Sequence, residues 1–352
     1  MRSVLRRREA GIALALLVVI GVTTAVQPGF LLSAGGWRDL LLTPAILVVL
    51  AVGQAVVVIT RNVDLSVGSV LGLTAYLTGR LFIDAPDLPI VVVALAAVAT
   101  GTLLGLINGA IVAFARVPAL VITLGTLYVY RGVTLTWAGA DRIDAGDMPR
   151  AFLGLGTQQV LGVPVLTIVA SIVLAAVGYY MYTSRGGRQL YAIGSDPDAA
   201  ALQGLPVRRR LLWAFAVNGA LAGLAGVMFA ARYGTVSSGA GTGMELQVVG
   251  AVVVGGVAIF GGSGTVAGAA LGAMLLLTIN RSLPVVGIPD FWQRAVVGAL
   301  IIGAIALDRV LANRRSRRLA AERDAGPPGG APPPPGTGPT GTGPNDREEA
   351  TA

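Results

Sequence analysis

LLTPAILVVLAVGQAVVVIT, Leu41–Thr60, decides the fold. It carries no formal charge from end to end. At roughly 20 residues it has the length of a helix that crosses a bilayer. In lipid the backbone must satisfy its own hydrogen bonds, and a run like this does so only as a helix. Working outward, comparable runs occur at Ala10–Gln27, Leu65–Phe82, Leu88–Ala113, Ala119–Thr136 and Gly162–Met181. Others follow at Leu211–Arg232, Leu246–Phe260, Thr265–Ile279 and Phe291–Leu307. The reading is an all-α polytopic membrane protein with about ten spans, some of them short or discontinuous. The first run is taken as a plain span over a cleaved signal peptide, because no clear small-x-small site follows it.

Composition agrees. Of 352 residues, 54% are hydrophobic and 12% charged, against about a quarter charged in soluble domains. Mean hydropathy is +0.75. The net charge of +8 comes entirely from arginine. These arginines sit at the ends of apolar runs, which is the pattern of cytoplasmic loop retention and not of a nucleic-acid surface. Histidine and cysteine are absent, so no imidazole or thiolate chemistry or metal site is expected.

Arginine placement sets orientation. Arg2, Arg6–Arg8, Arg61, Arg116, Arg185, Arg188, Arg208–Arg210, Arg309, Arg314, Arg315, Arg317 and Arg318 all fall on one side when the span number is even. The opposite loops hold Asp84, Asp87, Asp141, Asp144, Asp147 and Asp290. Both termini are therefore expected in the cytoplasm, with residues 1–9 as a short N-terminus and 10–310 as the membrane domain. Residues 321–352, rich in proline and glycine, read as a disordered cytoplasmic tail.

Three local features carry more information. In the loop 184–210, Ser195 is placed to cap a short helix, with Asp198 three residues on, Pro197 in the first turn, Ala200 within it and Gly204 to stop it. A connecting surface helix and a docking helix fit these residues equally. In GQAVVVITRNVDLSVGSVLG, Gly53–Gly72, Arg61, Asn62 and Asp64 mark the junction of two spans. Asn62 or Asp64 is expected to cap a helix starting near Leu65, with Asp64 interfacial beside Arg61. Gly68 and Gly72 permit close helix contact. Finally, Gly261-Gly262-Ser263-Gly264 lacks the Gly-Lys-Ser/Thr ending of a phosphate loop. With no nucleotide site readable, ATP would have to be hydrolysed by another polypeptide.

TRNVDLSVGSVLG at Thr60–Gly72, RVPALVITLGTLYVYRG at Arg116–Gly132, LYAIGSDPDAAALQGLPV at Leu190–Val207 and GGVAIFGGSGTVAGAALGA at Gly255–Ala273 occur in that order. Together they resemble the permease subunit of carbohydrate-type ABC importers, the group with ribose, xylose and autoinducer-2 permeases. The resemblance spans about residues 10–310. The segments Tyr130–Gly132, Leu135–Gly139 and Gly241–Glu245 look nearest to the autoinducer-2 branch.

The resemblance implies a non-catalytic subunit that works with a cytoplasmic ABC ATPase, a second permease subunit and an extracytoplasmic solute-binding protein. Gly194, Ser195, Asp196, Pro197, Ala200 and Gly204 would belong to a coupling helix seated in the ATPase. A pathway for polyols wants aromatic surface with interspersed hydroxyl and amide groups, and Thr123, Thr126, Tyr128, Trp137 and Asn218 are its candidates. Two alternatives stay open. Asp64 and Glu245 would suit an ion-coupled secondary transporter, and the loop and tail would suit a membrane scaffold.

Overall fold

The computed structural model describes residues 2–289 apart from Arg116, and residues 292, 295, 298, 299, 302 and 303, with side chains from Glu9 onward. Most of the expected span Phe291–Leu307 and all of the tail 321–352 lie outside the described residues. The helices are α1 (Arg2–Val26), α2 (Gly29–Leu32), α3 (Ala34–Leu42), α4 (Ala45–Ile59), α5 (Val67–Asp84), α6 (Ile90–Ala115) and α7 (Ala119–Ala138). They continue as α8 (Arg150–Thr157), α9 (Val165–Thr183), α10 (Arg185–Ser195), α11 (Pro197–Leu202), α12 (Val207–Tyr233), α13 (Met244–Val254) and α14 (Val266–Val285). A two-stranded antiparallel ribbon, Gln159–Val160 with Val163–Pro164, precedes α9.

Helix α4 is the axis of the fold. Every residue from Ala45 to Ile59 is buried. A helix that is apolar all round is stable only when it is surrounded, and α12, α14, α9 and α13 surround it. Between helices in lipid there is little hydrophobic drive, so close packing must hold them together. The largest contact, α6 on α12, shows how. Gly101, Gly105 and Gly109 on α6 face Phe215, Gly219 and Gly223 on α12, and a Cβ on Gly219 would stand 2.2 Å from the Gly101 carbonyl oxygen.

Among the described residues, seven stretches are long and apolar enough to cross a membrane: Glu9–Val26, Ala34–Ile59, Ile90–Ala115, Ala119–Ala138, Val165–Thr183, Val207–Tyr233 and Val266–Val285. The chain is a multi-pass, all-helical membrane protein. The expected total of about ten differs for three reasons. Helix α5 covers most of Leu65–Phe82 but is less apolar, since its end carries the Arg80–Asp84 ion pair and its buried face carries Ser69, Thr74 and Thr78. Both threonine hydroxyls donate to carbonyls of the preceding turn. The expected span Leu246–Phe260 is cut short, because α13 stops at Val254. Eleven residues rise about 16 Å, far less than the ~30 Å hydrocarbon core. The chain then turns through Gly255–Thr265, with Gly256, Gly261, Gly262 and Gly264 at positive φ. The third is Phe291–Leu307, already noted.

The arginine-bearing ends share one end of the bundle. Gly262 N donates to Ile59 O, Tyr191 Oη donates to Gly264 O, and Thr265 Oγ1 bonds Glu9 Oε1. The far end is closed by the bridge of Ile143 with Val236 and by Phe82 packed on Phe152.

Candidate functional site

Three places carry chemistry. The first is a buried polar core where α4, α5, α6, α7 and α12 meet. Asp64 is 2% exposed. Its Oδ1 accepts from Ser66 N at 2.9 Å and Ser66 Oγ at 2.7 Å, and its Oδ2 from Asn218 Nδ2 at 3.0 Å. The Gln54 amide faces the Asp64 backbone, N to O at 3.2 Å and O to N at 3.1 Å. Asn108 Nδ2 donates to Ser66 Oγ at 2.7 Å, and Tyr130 Oη donates to Asn108 Oδ1 at 3.0 Å. Thr123 Oγ1 donates to Val63 O at 3.1 Å.

This revises the junction. Asp64 is turned inward, not held at an interface by Arg61, and no ion pair joins the two among the described residues. The reason is the supply of donors: Ser66 and Asn218 give the carboxylate the hydrogen bonds that a buried charge needs. Arg61 is exposed and holds φ +69° in the turn after α4. Asn62 Nδ2 bonds back to Thr60 O at 2.9 Å. Helix α5 starts at Val67 rather than Leu65, and Asp64 secures its entry through Ser66. Gly68 and Gly72 do permit close approach, to the loop before α13 and, at Gly68, to Glu245 in the first turn of α13. Cβ atoms there would stand 2.6 Å from Gly241 O and 2.3 Å from Ala240 O.

The second place is the loop between α9 and α12. It folds as two helices. Ser184 caps α10, accepting from Gly187 N at 2.8 Å. Ser195 is the last residue of α10, so it does not cap α11. Asp196 does, with Oδ1 accepting from Asp198 N at 3.1 Å and Ala199 N at 3.0 Å. A carboxylate reaches both amides and also meets the positive end of the helix. Pro197 occupies the first turn, and Gly204 follows with φ +75°. Ala200 is buried while Leu202 is 88% exposed. Gly194 is pressed against the end of α4. A Cβ on it would lie 1.7 Å from Ile59 O and 2.7 Å from Gly262 N. Tyr191, whose phenol burial pushes up to about 12 with help from the nearby Glu9 carboxylate, stays protonated and donates to Gly264 O at 3.0 Å.

The third place is a cavity of about 500 Å³ at the opposite end of the bundle. Phe229 and Tyr233 of α12 supply aromatic surface, and the 235–247 segment supplies Thr235, Ser237, Thr242 and Gln247. Thr43 and Arg142 complete the polar part. Arg142 also pairs with Asp144 at 2.7 Å.

None of the five expected pathway residues lines this cavity. Thr123 and Asn218 belong to the buried core. Thr126 donates weakly to Thr123 O at 3.3 Å. Tyr128 points out of the subunit, 69% exposed, and Trp137 packs edge-on against Tyr76 at 5.2 Å. The cavity is assembled from segments far apart in the chain, and only the cluster of Thr, Ser and Gly at 235–243 signals it in sequence.

Comparisons with known proteins now bear on these features. Residues 38–305 match the family described as "Branched-chain amino acid transport system / permease component". The chain is 36% identical over 317 residues to the Autoinducer 2 import system permease protein LsrC of Enterobacter sp. (strain 638), covering 90% of this chain and 91% of that one. It is 36% identical to the LsrC of Escherichia coli (strain K12 / DH10B) over 86% of this chain and 89% of that one. Against the LsrC of Salmonella paratyphi B it is 33% identical, over 90% and 91%. No solved structure matches. The family match covers the bundle from α3 to beyond α14, so the chain belongs to the permease family of transport systems that includes the autoinducer-2 import permeases.

Proposed function

We propose that this permease subunit forms the pathway of an ATP-driven importer for a small polyhydroxylated solute, an autoinducer-2-like sugar derivative or a monosaccharide. The cavity beside Tyr233 carries the substrate part of this reading. Its hydroxyl, amide and aromatic lining suits a polyol. A branched-chain amino acid, the solute in the family's description, would need a carboxylate for its ammonium group. Among the described residues, no Asp or Glu lines the cavity. The relatives are named for autoinducer-2 import, in agreement with that chemistry.

The mechanical part rests on α10 and α11. Helix α11 exposes Leu202 while α10 bears on α4 and on the Gly255–Thr265 turn through Gly194 and Tyr191. This arrangement supports reading α11 as a coupling helix. A separate cytoplasmic ATPase binds α11, ATP-driven closure moves α10, and the two contacts pass that movement to α4, α13 and α14. A second permease subunit, a copy or a relative, completes the pathway, and an extracytoplasmic binding protein delivers solute at the cavity end. In this reading the arginine-bearing end, both termini and the tail 321–352 are cytoplasmic, and α5, the discontinuous crossing made by α13 with its flanking irregular segments, and residues 291–307 bring the crossing elements to about ten.

An ion-coupled transporter would need a carboxylate free to change its protonation or ion. Asp64 instead has its oxygens taken by Ser66 and Asn218, which is the wiring of a structural anchor. The test is uptake by the reconstituted complex of permease, ATPase and native binding protein. Autoinducer-2 and pentoses are expected to accumulate with ATP and without an ion gradient. Accumulation of leucine and of no sugar would overturn the substrate class, and ATP-independent uptake would overturn the importer.

A further inference from the structure

A groove of about 540 Å³ runs between α9 and α12, on a part of the surface that neither the buried core nor the polar cavity uses. Its floor is apolar: Val56 of α4, Val177 of α9 and Val217 of α12. One end is strongly cationic and aromatic, with Arg209, Arg210, Trp213 and Tyr180. From Arg209 to Val217 the groove follows α12 for about 12 Å. The polar groups converge there by construction. Tyr180 Oη and Arg210 Nη1 lie 2.1 and 3.0 Å from where a Cβ on Gly186 would stand. Arg210 Nε donates to Gln189 Oε1 at 2.6 Å, which fixes the guanidinium at the mouth. Trp213 is 55% exposed and Tyr180 44%, as side chains at a bilayer interface are.

We infer that this groove is a binding site for an anionic phospholipid. The acyl chain lies along Val56, Val177 and Val217, and the phosphate is held by Arg209 and Arg210 with the Tyr180 hydroxyl beside it. Charge complementarity decides the occupant. A plain apolar groove would take any lipid tail, but paired arginines at the end of a cleft between helices select an anionic headgroup. Arginine also meets phosphate oxygens in a two-pronged fashion that lysine cannot. The site abuts α10, since Leu190 closes the groove beside the arginines, so a bound lipid braces the helix that carries α11.

The test uses the full-length chain in vesicles, without ATPase or transport, so it stands or falls independently of the importer reading. With Trp37, Trp137 and Trp292 replaced by Phe, Trp213 reports alone. Brominated phosphatidylglycerol is expected to quench it up to about thirtyfold more effectively per mole than brominated phosphatidylcholine, the preference two arginines together contribute near an anionic headgroup. Arg209→Gln with Arg210→Gln should bring the two lipids level. Equal quenching in the parent, a preference that survives in the double variant, or no quenching by either lipid because a second copy covers the groove would each overturn the site. Native mass spectrometry of the chain with its own tryptophans gives a second reading. Phosphatidylglycerol should remain bound to the parent and be lost from the arginine double variant, and equal retention by both would overturn the proposal.

Discussion

Gly194 sits on the carbonyl of Ile59 so closely that a Cβ would stand 1.7 Å from the oxygen, and the same oxygen accepts from Gly262 N at 3.0 Å. One backbone atom of α4 therefore meets both α10 and the turn between α13 and α14. Any displacement of α10 is felt at two other elements at once.

Gly194→Ala tests this link. The methyl group cannot be accommodated without lifting α10 from α4, at about 1–3 kcal/mol for overpacking. The variant is expected to reach the membrane and bind the ATPase, with uptake per ATP hydrolysed falling roughly tenfold, the effect of ~1.4 kcal/mol on a two-state balance. The ratio of uptake to hydrolysis in proteoliposomes checks it. Unchanged coupling would remove Gly194 from the transmission route.

Leu202→Asp probes the other face of the same device. Leu202 is 88% exposed, so its loss costs the isolated subunit almost nothing. If it is buried by the ATPase, the complex loses about 1.5–3 kcal/mol, or at least roughly tenfold in affinity. Thermal unfolding of the permease alone should be unchanged while ATPase binding weakens. Equal binding by the variant would place the docking surface elsewhere.

Asp64→Asn separates anchor from ion carrier. The substitution keeps the shape but turns one oxygen into a donor, facing either Ser66 or Asn218, which already donate there. A buried donor without an acceptor costs about 1–3 kcal/mol. The midpoint of thermal unfolding in detergent should fall, with residual uptake still following ATP and insensitive to collapse of the proton gradient. Full stability with abolished uptake would instead make Asp64 a carrier.

The spans were legible because lipid imposes a single rule, a long apolar run, and Leu41–Thr60 obeys it without exception. The rule failed at α5 and α13. Helix α5 could keep Thr74 and Thr78 because neighbours cover it, and α13 could stop at Val254 because its broken end packs on α14. The start of α11 was misplaced by one residue, since Ser195 and Asp196 are both good caps and only the end of α10 decides between them. Asp64 looked interfacial because Arg61 is three residues away in sequence. Its partner Asn218 is 154 residues away, and no local pattern points to it. The glycine series of α6 and α12 was not picked out in the sequence, because which helices such a spacing joins depends on the tertiary arrangement.

Thr43→Val and Gln247→Leu decide where the solute travels. Both side chains line the cavity beside Tyr233, both changes preserve size approximately, and each removes one hydrogen-bonding group from a surface meant for a polyol. A neutral hydrogen bond contributes about 0.5–1.5 kcal/mol, so each variant should raise the KM for sugar uptake roughly threefold to tenfold. Maximal rate should hold, because the lost contact is made equally in the resting and moving states. Tyr128→Phe, on the exposed face of α7, serves as the opposing measurement, since its hydroxyl lies outside the cavity. Uptake titrations on the reconstituted complex compare the three directly. If Tyr128→Phe raises KM while Gln247→Leu leaves it unchanged, solute passes along α7 against the second subunit, and the cavity is not part of its route.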